Sequence, residues 1–263
     1  MAAGVSGTAA EAADSQGITD EDILNFALNL EYLESEYYLR AATGQGLKSK
    51  NTKGIGTQGK VIGGSKVPFE DSNFEKLALE IARDEEAHVS FLQSVLGSAA
   101  VAEPEIDLQS SFTHLARLAQ FISEEDTFNP FENEIYFLIG AYIFEDVGVT
   151  AFRGAAPLLT NKSYLSAATG ILGTEAYHAG AVRALMFERS MDYVAQKISA
   201  ARAKASGADD QGILLNERAN IVPVDNNGIT YGRSPGQVLN IVYLGGAASK
   251  FGFFPAKLNG KIA

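Results

Sequence analysis

The chain has 263 residues, 46% of them hydrophobic and 20% charged, with a formal net charge of −11. That balance suits a globular protein with a real core and works against a nucleic-acid-binding surface, which needs clustered positive charge. There are no cysteines, so disulfides, thiolate metal sites and cysteine nucleophiles are excluded, and any metal has to be held by oxygen and imidazole. No uninterrupted apolar window of about eighteen residues is present, so no membrane span is expected.

Met1 to Gln16 is mostly Ala, Gly, Ser and Thr. It lacks the basic and apolar regions of a secretory leader and resembles the small-residue stretch left when a leader has been removed. A disordered tail over residues 1–17 is expected. The protein would then be exported, to the periplasm or the extracellular space, or cytoplasmic if the chain is complete.

The first helix is predicted to start at Thr19. Thr19-Asp20-Glu21-Asp22 reads as a capping-box variant with acids in the first turn, and Gly44 is the stop. On this helix Glu31, Glu34 and Tyr38 fall on one stripe and Glu36 falls off it. Residues 45–69 are Gly-rich and carry Lys48, Lys50, Lys53, Lys60 and Lys66 without one acid, which predicts a solvated loop with room for a hairpin of its own. Ser72-Asn73-Phe74-Glu75 reads as the capping box of a second helix that ends at Gly97. Between Gly97 and Asn129 lies a long connection with a short helix at Ser111 to Ile122, suited to a crossover between the two ends of a bundle.

A third helix is expected to open with Asn129 as cap and Pro130 in the first turn, ending near Gly154 and Pro157. The fourth begins about Ser163 and reaches Ala203, with Gly170, Gly173 and Gly180 offering close approach to neighbours. Residues 206–263 are punctuated by Gly, Asn and Pro, with one helical candidate at Ser234 to Tyr243. The run Phe251-Gly252-Phe253-Phe254-Pro255 is too apolar for water, so this extension should pack on the bundle or against another subunit. The expected organisation is a tail over 1–17, an all-α four-helix bundle over 18–205, and a mostly irregular C-terminal extension over 206–263.

Two of the three histidines sit in the same setting, Glu85-Glu86-Ala87-His88 and Glu175-Ala176-Tyr177-His178. A Glu and a His three positions apart share one helix face. Two such helices, with a carboxylate from each of two more, make a dimetal site inside a four-helix bundle. From Ile135 to Phe152 the only charged residues are Glu145 and Asp146. A helix apolar on every side is buried, and a carboxylate there needs a partner. Glu145 is therefore the third-helix ligand, while Asp146 points about 100° away, toward an Arg or a helix terminus. The first helix offers Glu31, or Glu34 in its place.

The candidate metal ligands are thus Glu31, Glu85, His88, Glu145, Glu175 and His178, with Glu34 as the alternative on the first helix. Tyr38 could hydrogen-bond one of the carboxylates. Four carboxylates are balanced by two divalent cations, and without them some pKa values would be forced upward. Oxygen and imidazole in this ratio suit manganese or iron, which implies chemistry on dioxygen or peroxide. On the second helix Asp84, four residues before His88, is an alternative partner for it. His114 has no carboxylate at ligand spacing and should lie on the crossover helix.

Asn29-Leu30-Glu31-Tyr32 followed by Tyr37-Tyr38-Leu39 resembles the first-helix ligand motif of ferritins, a Glu with a Tyr seven residues on. That match prefers Glu31 over Glu34. The chain is similar, more closely, to the desiccation-related ferritin-like proteins of plants and bacteria, through NLEYLESEYYLRAATGQGL, FEDVGVTAFRGAAPLL, TEAYHAGAVR, YGRSPGQVLNIVY and GFFP. The resemblance spans residues 18 to 263 and implies a ferritin-like bundle and a link to drying or oxidative stress, usually in exported proteins. No Cys-rich rubredoxin-like segment accompanies it. The expected function is oxidoreductase chemistry on peroxide or oxygen, catalase-like or ferroxidase-like, at two divalent manganese or iron ions. The alternatives are a stress-protective structural protein with a structural or vestigial site, and iron storage. A homo-oligomer, most simply a dimer, is expected.

Overall fold

The computed structural model describes residues 17–245 and 249–263. The tail expected over 1–17 therefore falls almost wholly outside the described residues.

Four long helices form the bundle: α1 (Asp20–Thr43), α2 (Ser72–Leu96), α4 (Glu134–Ala155) and α5 (Lys162–Glu188). Each start is set by a side chain that satisfies free backbone N–H groups. Thr19 caps α1 and Asp22 reaches back to the Thr19 N–H, so the predicted box is formed. Gly44 ends the helix in the left-handed region, φ 78°. Asp71 caps α2, one residue before the predicted Ser72. Asn133 caps α4, not Asn129, whose side chain instead accepts from the Phe131 N–H at 3.1 Å. Two Asn residues four apart both carry the local signal, and the aromatic seat of Tyr37 against Phe131 and Phe137 accompanies the later start.

The pairs α1/α2 and α4/α5 pack side by side. Asn25, near the start of α1, bonds Ala99 and Val101 beyond the end of α2, so that pair is antiparallel. Tyr37, late in α1, donates to the Phe137 carbonyl early in α4, which makes those two antiparallel as well. Both central helices are buried on nearly every side: α1 from Ile23 to Leu39 without interruption, and α4 from Phe137 to Phe152. Glu134–Leu158 has the length and apolar composition of a membrane span, but its apolar stretch lies mostly inside the protein. It is a core helix.

The connection from α2 to α4 holds α3 (Ser110–Leu118), shorter than predicted, because Gln120 turns to φ 59°. The loop 45–69 contains no hairpin. Its strand β1 (Val61–Ile62) instead pairs in parallel with β2 (Ile106–Asp107) of the crossover, and Ile55 bridges Val101. The fourth predicted helix is broken at Arg189–Met191, where Ser190 sits at φ 55°, into α5 and α6 (Asp192–Ser206). No Gly or Pro marks that break. Gly170, Gly173 and Gly180 on α5 do not mediate close packing, since a Cβ at each would meet nothing within 4 Å.

In the extension, β3 (Leu214–Leu215) and β4 (Arg218–Ala219) form a short antiparallel ribbon, and α7 (Pro235–Val242) is capped by Ser234 and Gln237. Phe253 and Phe254 are fully buried. The Phe253 ring lies 5.0 Å from that of Phe112 and 4.9 Å from that of Phe144, so this part of the apolar run is core. Phe251 stays 60% exposed and stacks on His114.

Candidate metal centre

The middle turns of the four long helices bring their acids and imidazoles to one buried place. Glu31, Glu85, His88 and Glu175 form one group in which one ligand atom from each lies within 4.8 Å of the others, and Glu85, Glu145 and His178 form a second. Glu85 belongs to both. His88 Nδ1 is 3.3 Å from Glu85 Oε2, and His178 Nδ1 is 3.1 Å from Glu85 Oε1. The two oxygens of one carboxylate thus face the two imidazoles. His88 Nδ1 also lies 3.2 Å from Glu31 Oε2 and 3.9 Å from Glu175 Oε1, and His178 Nδ1 lies 3.6 Å from Glu145 Oε2.

All six expected ligand residues therefore converge, and Glu34 joins them without belonging to either group. Glu34 is buried beside the cluster, with Oε2 lacking any partner. Tyr38 donates to Glu145 Oε1, as its position on the α1 stripe suggests. Glu36 turns away to Arg40 Nε at 2.5 Å and to the Leu47 N–H at 2.7 Å.

Asp84 has a role the spacing did not reveal. Its Oδ2 lies 3.1 Å from His178 Nε2 on another helix, and it is not the partner of His88 that an i,i+4 count suggests. A carboxylate at Nε2 keeps the proton there and leaves Nδ1 free to face the cluster. Gly148 was also missed. A Cβ at that position would collide with Glu175 Oε2 and stand 3.2 Å from Glu34 Oε1. A glycine inside a helix costs about 1 kcal/mol relative to alanine, and here it makes room for carboxylates.

The unmet atoms test whether these residues fit a metal. Glu31 Oε1, Glu85 Oε1, Glu145 Oε2, both Glu175 oxygens and His178 Nδ1 are buried without a hydrogen-bond partner. Buried polar atoms are rarely left so, and five carboxylates aimed at one another are costly without cations between them. Oxygen and imidazole donors gathered in this way fit a bound metal ion.

The electrostatics carry the same mark. Burial pushes Glu31 up to about 8, with Glu85 adding repulsion, and burial likewise pushes Glu145 up to about 8. Glu34 and Glu175 are raised well above the usual range by burial and by their acidic neighbours. Burial opposes the charge on Glu85 too, but the imidazoles of His178 and His88 that face its two oxygens outweigh it and hold that carboxyl at about 2. The histidines answer in kind. Burial disfavours their charged forms, yet the facing carboxylates push His88 to about 11 and His178 to about 9.

These shifts predict the pH response of the metal-free protein. Glu31 and Glu145 rise from 4.5 unfolded to about 8 folded, so the stability linked to them is complete below pH 4.5 and is lost as pH rises through 8. The raised histidines act in the same direction, from 6.5 upward. Glu85, held low, contributes above pH 4.5 and loses its contribution as pH falls toward 2. The metal-free melting temperature should therefore peak near pH 5 and decline steadily to pH 9. A melting temperature flat from pH 5 to 9 would show that the cluster does not share protons as described.

A family model described as a ferritin-like domain matches residues 19–188. The chain is 26% identical to the ferritin-like catalase Nec2 of Nesocodon mauritianus, over 95% of this chain and 87% of that protein. It is also 28% identical to the desiccation-related protein PCC13-62 of Craterostigma plantagineum, over 84% of this chain and 76% of that one.

Proposed function

Since the chain belongs to the ferritin-like domain family, we propose that its central cluster holds two divalent manganese or iron ions and handles peroxide or dioxygen during desiccation stress. The observation that carries this reading is Glu85, whose two oxygens face the two imidazoles of two ligand-capable groups. Relatives named as a ferritin-like catalase and as a desiccation-related protein support the chemistry and the setting respectively.

Two such ions, when bound, supply reversible electron transfer to a small oxygen species together with Lewis acidity. Glu31, His88 and Glu175 would hold one ion, Glu145 and His178 the other, and Glu85 both. The chain does the rest. Tyr38 fixes the Glu145 carboxyl by donating to Oε1, and Asp84 orients the His178 ring through Nε2. The buried walls of α1 and α4 keep bulk water away from the carboxylates, which strengthens every charge interaction among them.

The protein loaded with manganese or iron should disproportionate hydrogen peroxide or oxidise ferrous iron. His88→Ala and His178→Ala should each abolish that activity, because each histidine is the only nitrogen among the donors of its group. Fully metallated wild-type protein inactive in both assays would sink the redox reading. The desiccation-related relative, whose name specifies no reaction, favours a second reading in which the site is structural and the protein protective. Metal-dependent stability without turnover would select it.

A further inference from the structure

Beside the carboxylate cluster lies a small cavity of about 20 Å³ between α1, α4 and α7, walled by Leu33, Ile143, Phe144, Val242 and Phe253. Its one ionisable lining residue is Glu34. We propose that this cavity, which borders the carboxylate cluster, is a dioxygen site.

Size and polarity select the occupant. A cavity needs about 10–15 Å³ to seat one water, so this one has room for about one or two heavy atoms. A buried water also needs about two to four polar partners, and the cavity offers one carboxyl among aliphatic and aromatic carbons. A neutral apolar diatomic molecule fits where water is poorly held and where ions or larger peroxides are excluded. Glu34, whose Oε2 is buried without a partner among the described residues, is the link between the cavity wall and the cluster.

The cavity and the cluster share two residues, Glu34 and Gly148. Gly148 lines the cavity and also packs against the carboxylates, since a Cβ there would collide with Glu175 Oε2 and stand 3.2 Å from Glu34 Oε1. The far wall comes from the C-terminal extension, where Val242 ends α7 and Phe253 is pinned by its backbone bond to the Val242 carbonyl, 2.8 Å. The extension thus supplies the outer lining of a site whose inner lining belongs to the bundle. The role of dioxygen here, as reactant or product, rests on the metal reading above; its residence in the cavity does not.

Dissolved dioxygen is paramagnetic, so it is its own probe. In the full chain without metal, methyl groups of Ile143, Val147 and Val242 should show several-fold greater relaxation enhancement under oxygen than the equally buried methyls of Ile81 and Val89 on α2, which do not line the cavity. Val242→Phe should remove that enhancement at Ile143 and Val147 while leaving metal uptake unchanged. Equal enhancement at all buried methyls, or an ordered water bonded to Glu34 in the cavity, would overturn the proposal. If Val242→Phe does not fold, the wild-type comparison decides alone. Selective enhancement in a protein that takes up no metal leaves the dioxygen site standing and removes the metal reading, so the two can fail separately.

Discussion

Glu85→Ala is expected to take the metal content from two ions per chain to none, measured by elemental analysis of protein equilibrated with manganese or ferrous iron. Glu145→Ala should lose only one. The difference follows from geometry, since Glu85 is the residue shared by both ligand groups whereas Glu145 belongs to one. Thermal unfolding supplies a second readout. A ligand that binds only the folded state adds about 4 kcal/mol at a thousandfold excess over Kd. Metal should therefore raise the melting temperature of the wild type and leave that of Glu85→Ala unmoved. Two ions retained by Glu85→Ala would remove the bridging role from that carboxylate.

Asp146→Ala should destabilise the fold by about 3–5 kcal/mol, the usual cost of breaking a buried ion pair. Asp146 Oδ2 receives Arg183 Nη1 and Arg202 Nη2, each at 2.7 Å, in a place where both guanidinium groups are almost wholly buried. Arg202 continues to Asp210 at 2.9 Å, and Arg233 meets Asp210 at 2.8 Å. Arg183 also donates to the carbonyls of Gln211, Gly212 and Asn220. One carboxylate next to Glu145 thus ties α4 to α5, to α6 and to the extension. Removing it leaves Arg183 without a carboxylate partner and Arg202 sharing Asp210 with Arg233, and a domain of this size should lose roughly 10 °C in melting temperature. A loss under about 2 °C would mean that the carbonyls alone satisfy both arginines, since a surface ion pair contributes little more than that. The conservative Asp146→Asn, which keeps the acceptor but not the charge, should fall between.

The local sequence determined a good deal. The spacing of Glu85 with His88 and of Glu175 with His178 places each pair on one helix face, because the helix period leaves no other arrangement. Glu145 and Asp146 stand out as the charges of a helix apolar on all sides, and their 100° separation sends one to the cluster and the other to the arginines. The caps at Thr19 and Gly44 are equally local, since each acts within one turn of chain.

Tertiary structure decided the rest. Glu31 and Glu34 lie on the same stripe, and only the position of α2 and α5 against it puts Glu31 in a ligand group while Glu34 borders a cavity. Asp84 has two reachable histidines by chemistry and finds the one on the neighbouring helix. The loop 45–69 pairs with a strand more than forty residues away, and the break after Glu188 occurs at a serine forced to positive φ. Periodicity and capping report which residues share a face or end a turn, because those energies arise between near neighbours in the chain. Which face meets which partner depends on helix packing and burial, and these are settled by contacts that no local pattern contains.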